Sequence, residues 1–154
     1  MTEQEWYSTL EMRHGKELQQ KFTSACIAIC GLGGLGSNIA NSLARVGIGK
    51  LILIDFDRVD ITNLHRQQYK ANQIGRYKTE ALCENLAEIA PYLETEIHTV
   101  CITEDNAEEL LKDSDTMLLF TVTLTKTAKL IFPTLLCLAF AFLAIPRLLR
   151  ILKK

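Results

Sequence analysis

A glycine run, two aspartates, an asparagine and two cations are spaced along the first half of the chain in an order that suits a nucleotide and its phosphates. Gly31, Gly33, Gly34 and Gly36 lie in the run GLGGLG. Without side chains the backbone turns sharply and approaches phosphate, whose charge is stabilised by the free amides and positive dipole end of a following helix. Asp55 stands 19 residues after Gly36, where an acid commonly accepts hydrogen bonds from ribose hydroxyls. Asp57 reads equally well as a further nucleotide contact or as a solvated acid. Asn63, Arg66 and Lys78 then add an amide and two cations. That is more positive charge than a diphosphate held by helix amides needs, and it suits a triphosphate. As pyrophosphate leaves an α-phosphate, charge builds on the transferring group and the leaving oxygens, and fixed cations there lower the barrier.

These residues need elements to hold them. The run ACIAIC (residues 25–30) is continuously apolar and of strand length, as in a parallel sheet covered on both faces. The glycine run follows at once, then a helix over 37–46 with Ser37 near its start as a cap and Gly47 at its end. KLILID (50–55) is a second buried strand, and strand, glycine turn, helix and strand make a right-handed βαβ unit. Residues 56–78 are too irregular in apolar spacing for one long helix and read as a functional loop with short helical turns. A helix over 79–90 follows, with Leu82, Leu86, Ile89 and Ala90 on one face and Pro91 ending it. A third strand is expected over 95–102, a short helix over 104–111 and a fourth strand over 116–122. Upstream, residues 3–10 and 13–21 are helical in composition and break near His14 and Gly15. The fold class is α/β, a Rossmann-like and mostly parallel sheet with helices on both faces, incomplete at its carboxy-terminal end.

Three spaced pieces, GLGGLGSN, LILIDFDRVDITNLHRQQY and IGRYKTEAL, with the intervals between them, resemble the ThiF, MoeB and ubiquitin-activating-enzyme-like family. Its pattern is a GxGGxG loop, DxDxVxxxNLxRQ and a following GxxK, and the likeness runs over about 13–115. The resemblance implies that the loop at Gly34 contacts ATP, that Asp55 holds the ribose, and that Asn63, Arg66 and Lys78 surround the phosphates. It implies a reaction too: the carboxy-terminal Gly-Gly carboxylate of a small ubiquitin-like sulfur carrier protein attacks the α-phosphate of ATP, giving an acyl adenylate and pyrophosphate. In related dimers an arginine near the partner's amino terminus reaches the ATP. Arg13 is the counterpart here, against a plain reading as a helix-surface arginine. A homodimer is thereby implied. The closest type within the family is the short adenylyltransferase of thiamine biosynthesis.

The chain departs from the family pattern after Asp115. The family presents an Asp-Asn pair whose aspartate holds the Mg2+ bound to ATP; here TMLLFTVTLTKTAK stands in its place, no acidic residue follows Asp115, and no magnesium ligand is identified. Domain organisation is accordingly read as a nucleotide-binding domain over 1–122, with lead-in helices over 1–22, and a divergent apolar tail over 123–154. Residues 130–145, LIFPTLLCLAFAFLAI, are at the lower edge of bilayer-spanning length and carry Pro133. The readings of this tail are a membrane anchor, a buried helix in a rearranged core and, favoured, a truncated or frame-shifted product.

Composition narrows the partners. Seventeen basic residues against 18 acidic give a net charge of −1, so no global field points to nucleic acid or an anionic membrane. Five cysteines without a CxxC, and an amino terminus without a signal-peptide pattern, read as a reduced, cytoplasmic chain without a cysteine metal site. His14, His65 and His98 have no metal-ligand spacing. Beside the adenylyltransferase reading stand a non-catalytic nucleotide- or carrier-binding module and an NAD-dependent oxidoreductase, which would leave Asn63, Arg66 and Lys78 unexplained.

Overall fold

A computed structural model describes residues 1–119 of the chain. The apolar tail read from the sequence lies outside them.

Two lead-in helices, α1 (Glu3–His14) and α2 (Lys16–Ser24), break at Gly15 as expected. A reciprocal cap starts α1: the Thr2 amide donates to Glu5 (2.7 Å) and the Glu5 amide to the Thr2 hydroxyl (3.2 Å). Then come β1 (Cys26–Cys30), α3 (Gly34–Arg45), β2 (Lys50–Ile54), single 3-10 turns at Ile61–Asn63 and Ala71–Gln73, α4 (Lys78–Ile89), β3 (Glu94–His98), α5 (Glu104–Leu111) and β4 (Thr116–Leu119). The strands form a parallel sheet in the order β3-β2-β1-β4. Chain order reverses at β1, whose neighbours are β2 on one side and β4 on the other, and in open parallel sheets ligands bind outside the carboxyl ends at such a reversal. The loop that leaves β1 is the glycine run.

Alternation along the strands sends side chains to two cores. Ile29, Leu51 and Leu53 face Ala40 and Ala44 of α3 and Ala81, Leu82 and Leu86 of α4, with Trp6 and Phe22 at the margin. Ala28, Cys30, Ile52 and Ile54 face the other way, toward Leu110 and Leu111 of α5 and Met117. Each fully buried Leu or Ile contributes about 1.5–3 kcal/mol. Small buried residues in α3, Gly36, Ser37, Ala40 and Ala44, recur at helical spacing and let that helix lie close on the sheet. Cys30 is a packing residue whose thiol burial pushes up to about 11, so it stays protonated.

Three sequence expectations change. Ser37 does not cap α3: the helix begins earlier, at Gly34, because Gly33 supplies the extended cap residue, and the Ser37 hydroxyl bonds back to the Gly33 carbonyl at 2.6 Å. The third strand closes at His98 rather than 102, since β2, its only partner among the described residues, ends at Ile54 opposite it. The second strand likewise ends at Ile54, leaving Asp55 as the first residue of the loop.

Candidate nucleotide site

The glycine loop is held backbone group by backbone group. The Gly31 amide (φ 92°) donates to the Ile54 carbonyl at 2.8 Å, tying the end of β1 to the end of β2. The Leu32 amide donates to Asp55 Oδ2 at 2.6 Å, and the Leu32 carbonyl accepts from the Tyr69 hydroxyl at 2.7 Å. The Gly33 carbonyl accepts from the Ser37 amide at 3.0 Å. The amides of Gly33, Gly34 and Leu35 have no hydrogen-bond partner among the described residues, the usual state of the first amides of a helix and a ready donor set for an anion.

The four glycines do different work. A methyl group at Gly36 would stand 1.9 Å from the Gly31 carbonyl oxygen, so Gly36 allows the helix to close on the loop. A methyl group at Gly33 would meet nothing within 4 Å. At Gly34 the nearest atoms are Cγ and Cδ of Arg66, both 3.5 Å away, which places that side chain over the helix start.

Arg66 arrives there because residues 56–77 are stitched to the helices. Asn38 Nδ2 donates to the carbonyls of Gly34 (2.5 Å) and Arg66 (3.1 Å), while Gln68 Nε2 donates to Asn38 Oδ1 (2.6 Å). Beneath them Gln73 and Asn85 form a buried amide pair, Nε2 to Oδ1 at 2.8 Å and Nδ2 to Oε1 at 3.1 Å, and Asn85 also donates to the Gln68 carbonyl at 2.9 Å. The Arg66 guanidinium is exposed; it donates to the Thr62 carbonyl at 3.1 Å and lies 3.3 Å from His65 Nε2. Among the described residues no carboxylate forms a salt bridge with it.

Lys78 opens α4 and is buried, with Nζ 2.8 Å from Asp57 Oδ2, and Asp57 itself is half exposed. Asp55, only 8% exposed, accepts the Asp57 amide on its other oxygen at 2.8 Å. A continuous polar chain thus runs from Lys78 through Asp57 and Asp55 to Leu32. Asn63, half-buried, starts no comparable chain; its side chain reaches the Thr62 hydroxyl at 3.4 Å. Arg13 is elsewhere. It sits in the last turn of α1, whose Leu10 lies beside Gly47 ahead of β2, at the end of the sheet opposite its own glycine loop.

Sequence reasoning missed Tyr69, Asn38 and Gln67. Tyr69 is 8% exposed although polar residues flank it on both sides, and an aromatic in that setting was the available signal. Its hydroxyl is held above the usual phenol range first by burial, then by the charges of Asp55 and Asp57. Gln67 is 7% exposed, with Oε1 lacking a hydrogen-bond partner among the described residues. Among the described residues no three His, Cys, Asp or Glu side chains converge as a metal-ligand set.

Both Asp55 oxygens already accept backbone amides, so the carboxylate builds the loop before any ribose arrives. Each oxygen has a second lone pair, and a sugar hydroxyl can still bond there. Replacing Asp55 by Ala is expected to lower stability by about 1–3 kcal/mol, because two amides lose a charged acceptor. Thermal denaturation without ligand checks this; an unchanged melting temperature would show that the carboxylate is not what holds the loop.

A parallel α/β sheet in 3-2-1-4 order, with a glycine loop leaving β1, an acid after β2 and Arg66 over the helix start, defines a Rossmann-like fold. Residues 7–124 match the ThiF family, and the chain belongs to that family. Over 84 residues it is 42% identical to ubiquitin-like modifier-activating enzyme 5 of Caenorhabditis elegans, covering 54% of this chain and 20% of that protein. Over 98 residues it is 36% identical to the adenylyltransferase and sulfurtransferase MOCS3 of Caenorhabditis briggsae, covering 63% and 24%. The fold matches the crystal structure of E. coli tRNA N6-threonylcarbamoyladenosine dehydratase in complex with ATP, with a TM-score of 0.72 and 29% identity over 76% of this chain and 49% of that one. The chain thus spans about a fifth to a quarter of the length of these curated relatives. No helix among the described residues is long and apolar enough to cross a membrane.

Proposed function

We propose that the chain binds ATP and adenylates the carboxy-terminal glycine of a small ubiquitin-like protein in the cytoplasm, with a sulfur carrier of the thiamine-biosynthesis type as the substrate. The observation that carries this reading is Arg66, an exposed guanidinium without a salt-bridge partner among the described residues, set against the start of a helix whose first amides are free. Such a pair suits a chain of phosphates better than the single diphosphate of NAD. The carrier carboxylate oxygen forms a bond to the α-phosphorus and the bond to the bridging oxygen of pyrophosphate breaks, so no protein nucleophile takes part. The chain's contribution is position and charge: loop amides and Arg66 against the phosphate oxygens, Lys78 at the leaving group, Asp55 and Asp57 toward the ribose, Asn63 beside the phosphates. Among the described residues no three His, Cys, Asp or Glu side chains converge on a place for Mg2+. Arg13, distant from its own loop, serves the neighbouring site in a homodimer.

The relatives support the carrier class from two sides, one named for a ubiquitin-like modifier and the other as a sulfurtransferase. A binding module without turnover is the second reading; it rests on the pairing of Lys78 with Asp57, which neutralises one of the two cations. Carrier-dependent exchange of labelled pyrophosphate into ATP separates the two, and is expected to occur. Calorimetry is expected to give tighter binding of ATP than of NAD; the reverse order would sink the triphosphate reading.

A further inference from the structure

The Leu32 peptide groups are clamped at both ends. Asp55 takes the Leu32 N–H at 2.6 Å and the Tyr69 hydroxyl gives a hydrogen bond to the Leu32 carbonyl at 2.7 Å. The described residues contain no cis peptide, and in a planar trans peptide the carbonyl of one residue and the N–H of the next point in opposite directions. A Leu32 carbonyl held toward Tyr69 therefore turns the Gly33 N–H away from the protein core. That N–H belongs to the residue where a methyl group would meet nothing within 4 Å. If the peptide rotated, a carbonyl oxygen would face the same opening and would repel an anion instead of binding it.

We propose that Tyr69 is a positioning residue which, through its hydroxyl, fixes the Leu32–Gly33 peptide with the Gly33 N–H presented to phosphate. The inference rests on the nucleotide reading of the site. Its ring belongs to the core that packs α3 and α4 on the sheet, so the hydroxyl is delivered from a rigid base. Burial and the adjacent Asp55 and Asp57 hold the phenol protonated, which keeps it a donor at any working pH.

Tyr69→Phe removes the hydroxyl and keeps the ring. Calorimetry on the full chain should show ATP binding weakened about tenfold, with adenosine binding unchanged, since adenosine has no phosphate for Gly33 to meet. Amide NMR gives a second measurement: ATP should shift the Gly33 N–H resonance in the unaltered chain and do so much less in the variant. Equal ATP affinity in both chains overturns the proposal, as does an equal loss for ATP and adenosine, which would mark a general loosening. Failure of the unaltered chain to bind ATP at all would overturn the nucleotide reading and the proposal with it, an outcome distinct from either of these.

Discussion

Gly36→Ala is expected to destabilise the chain by about 3 kcal/mol, lowering the melting temperature by roughly 6–12 °C for a domain of this size. Alanine within a helix ordinarily gains about 1 kcal/mol over glycine. Here the added carbon would stand 1.9 Å from the Gly31 carbonyl oxygen, far inside van der Waals contact, and its obstacle is backbone rather than a side chain that can swing aside. Relief requires α3 to move off β1, which opens the packing of Ala40 and Ala44. The clash outweighs the propensity gain. Gly33→Ala is the matching control: its methyl meets nothing within 4 Å, so stability should hold within about 1 kcal/mol while ATP binding suffers. Thermal denaturation of the two variants checks both halves, and equal melting temperatures would show that the loop and helix are not pressed together as described.

Arg66→Ala should slow adenylation about 100-fold to 1000-fold, the scale of losing one preorganised donor to developing charge, while ATP affinity falls far less. The guanidinium has no carboxylate to leave stranded among the described residues, so its removal should not disturb the fold, and the rate loss reads charge stabilisation alone. Arg66→Lys should also be slow, because an ammonium cannot reproduce the planar fork that meets two phosphate oxygens. Lys78→Ala differs in kind. Lys78 is 5% exposed and bonded to Asp57, so the variant should lose stability as well as rate. Rate and melting temperature together therefore distinguish the two cations. An Arg66→Ala chain that releases pyrophosphate at the unaltered rate with carrier and ATP would remove Arg66 from the chemistry.

The strands and helices were legible because their signals are local. ACIAIC is apolar on every residue and KLILID from Leu51 to Ile54, as suits strands covered on both faces, and the structure puts Ala28 and Ile29 into opposite cores. Gly15 broke the lead-in helices where its position indicated. Boundaries at the glycine run were not legible, since a helix that starts on Gly34 with a glycine cap carries no side-chain signature. In the candidate site, residue types and spacing singled out the loop, both aspartates and both cations, and the structure places Asp55 against the loop and Arg66 over the start of α3. They could not show that Asp57 is bonded to Lys78, or that Asp55 spends its oxygens on backbone amides, because those depend on how residues 56–77 fold back over α3 and α4. Tyr69 stood out only as an aromatic among polar residues, and neither its contact nor that of Asn38 could be read, for the same reason: their partners are 37 and 28 residues away in sequence.

The stretch between β2 and α4 is irregular, and irregular connections ordinarily tolerate insertions and deletions. This one is committed at too many points to change length. Val59 and Gly75 bond across its neck, Gln73 is locked to Asn85, and Gln68 and Arg66 are tied to α3. A single added residue between Asn63 and Arg66 would shift Arg66, Gln68 and Tyr69 out of register with fixed partners on α3, α4 and the glycine loop. Sequence drift in this segment is therefore confined to substitution on its exposed side, and its length is as much a part of the candidate site as any charged group within it.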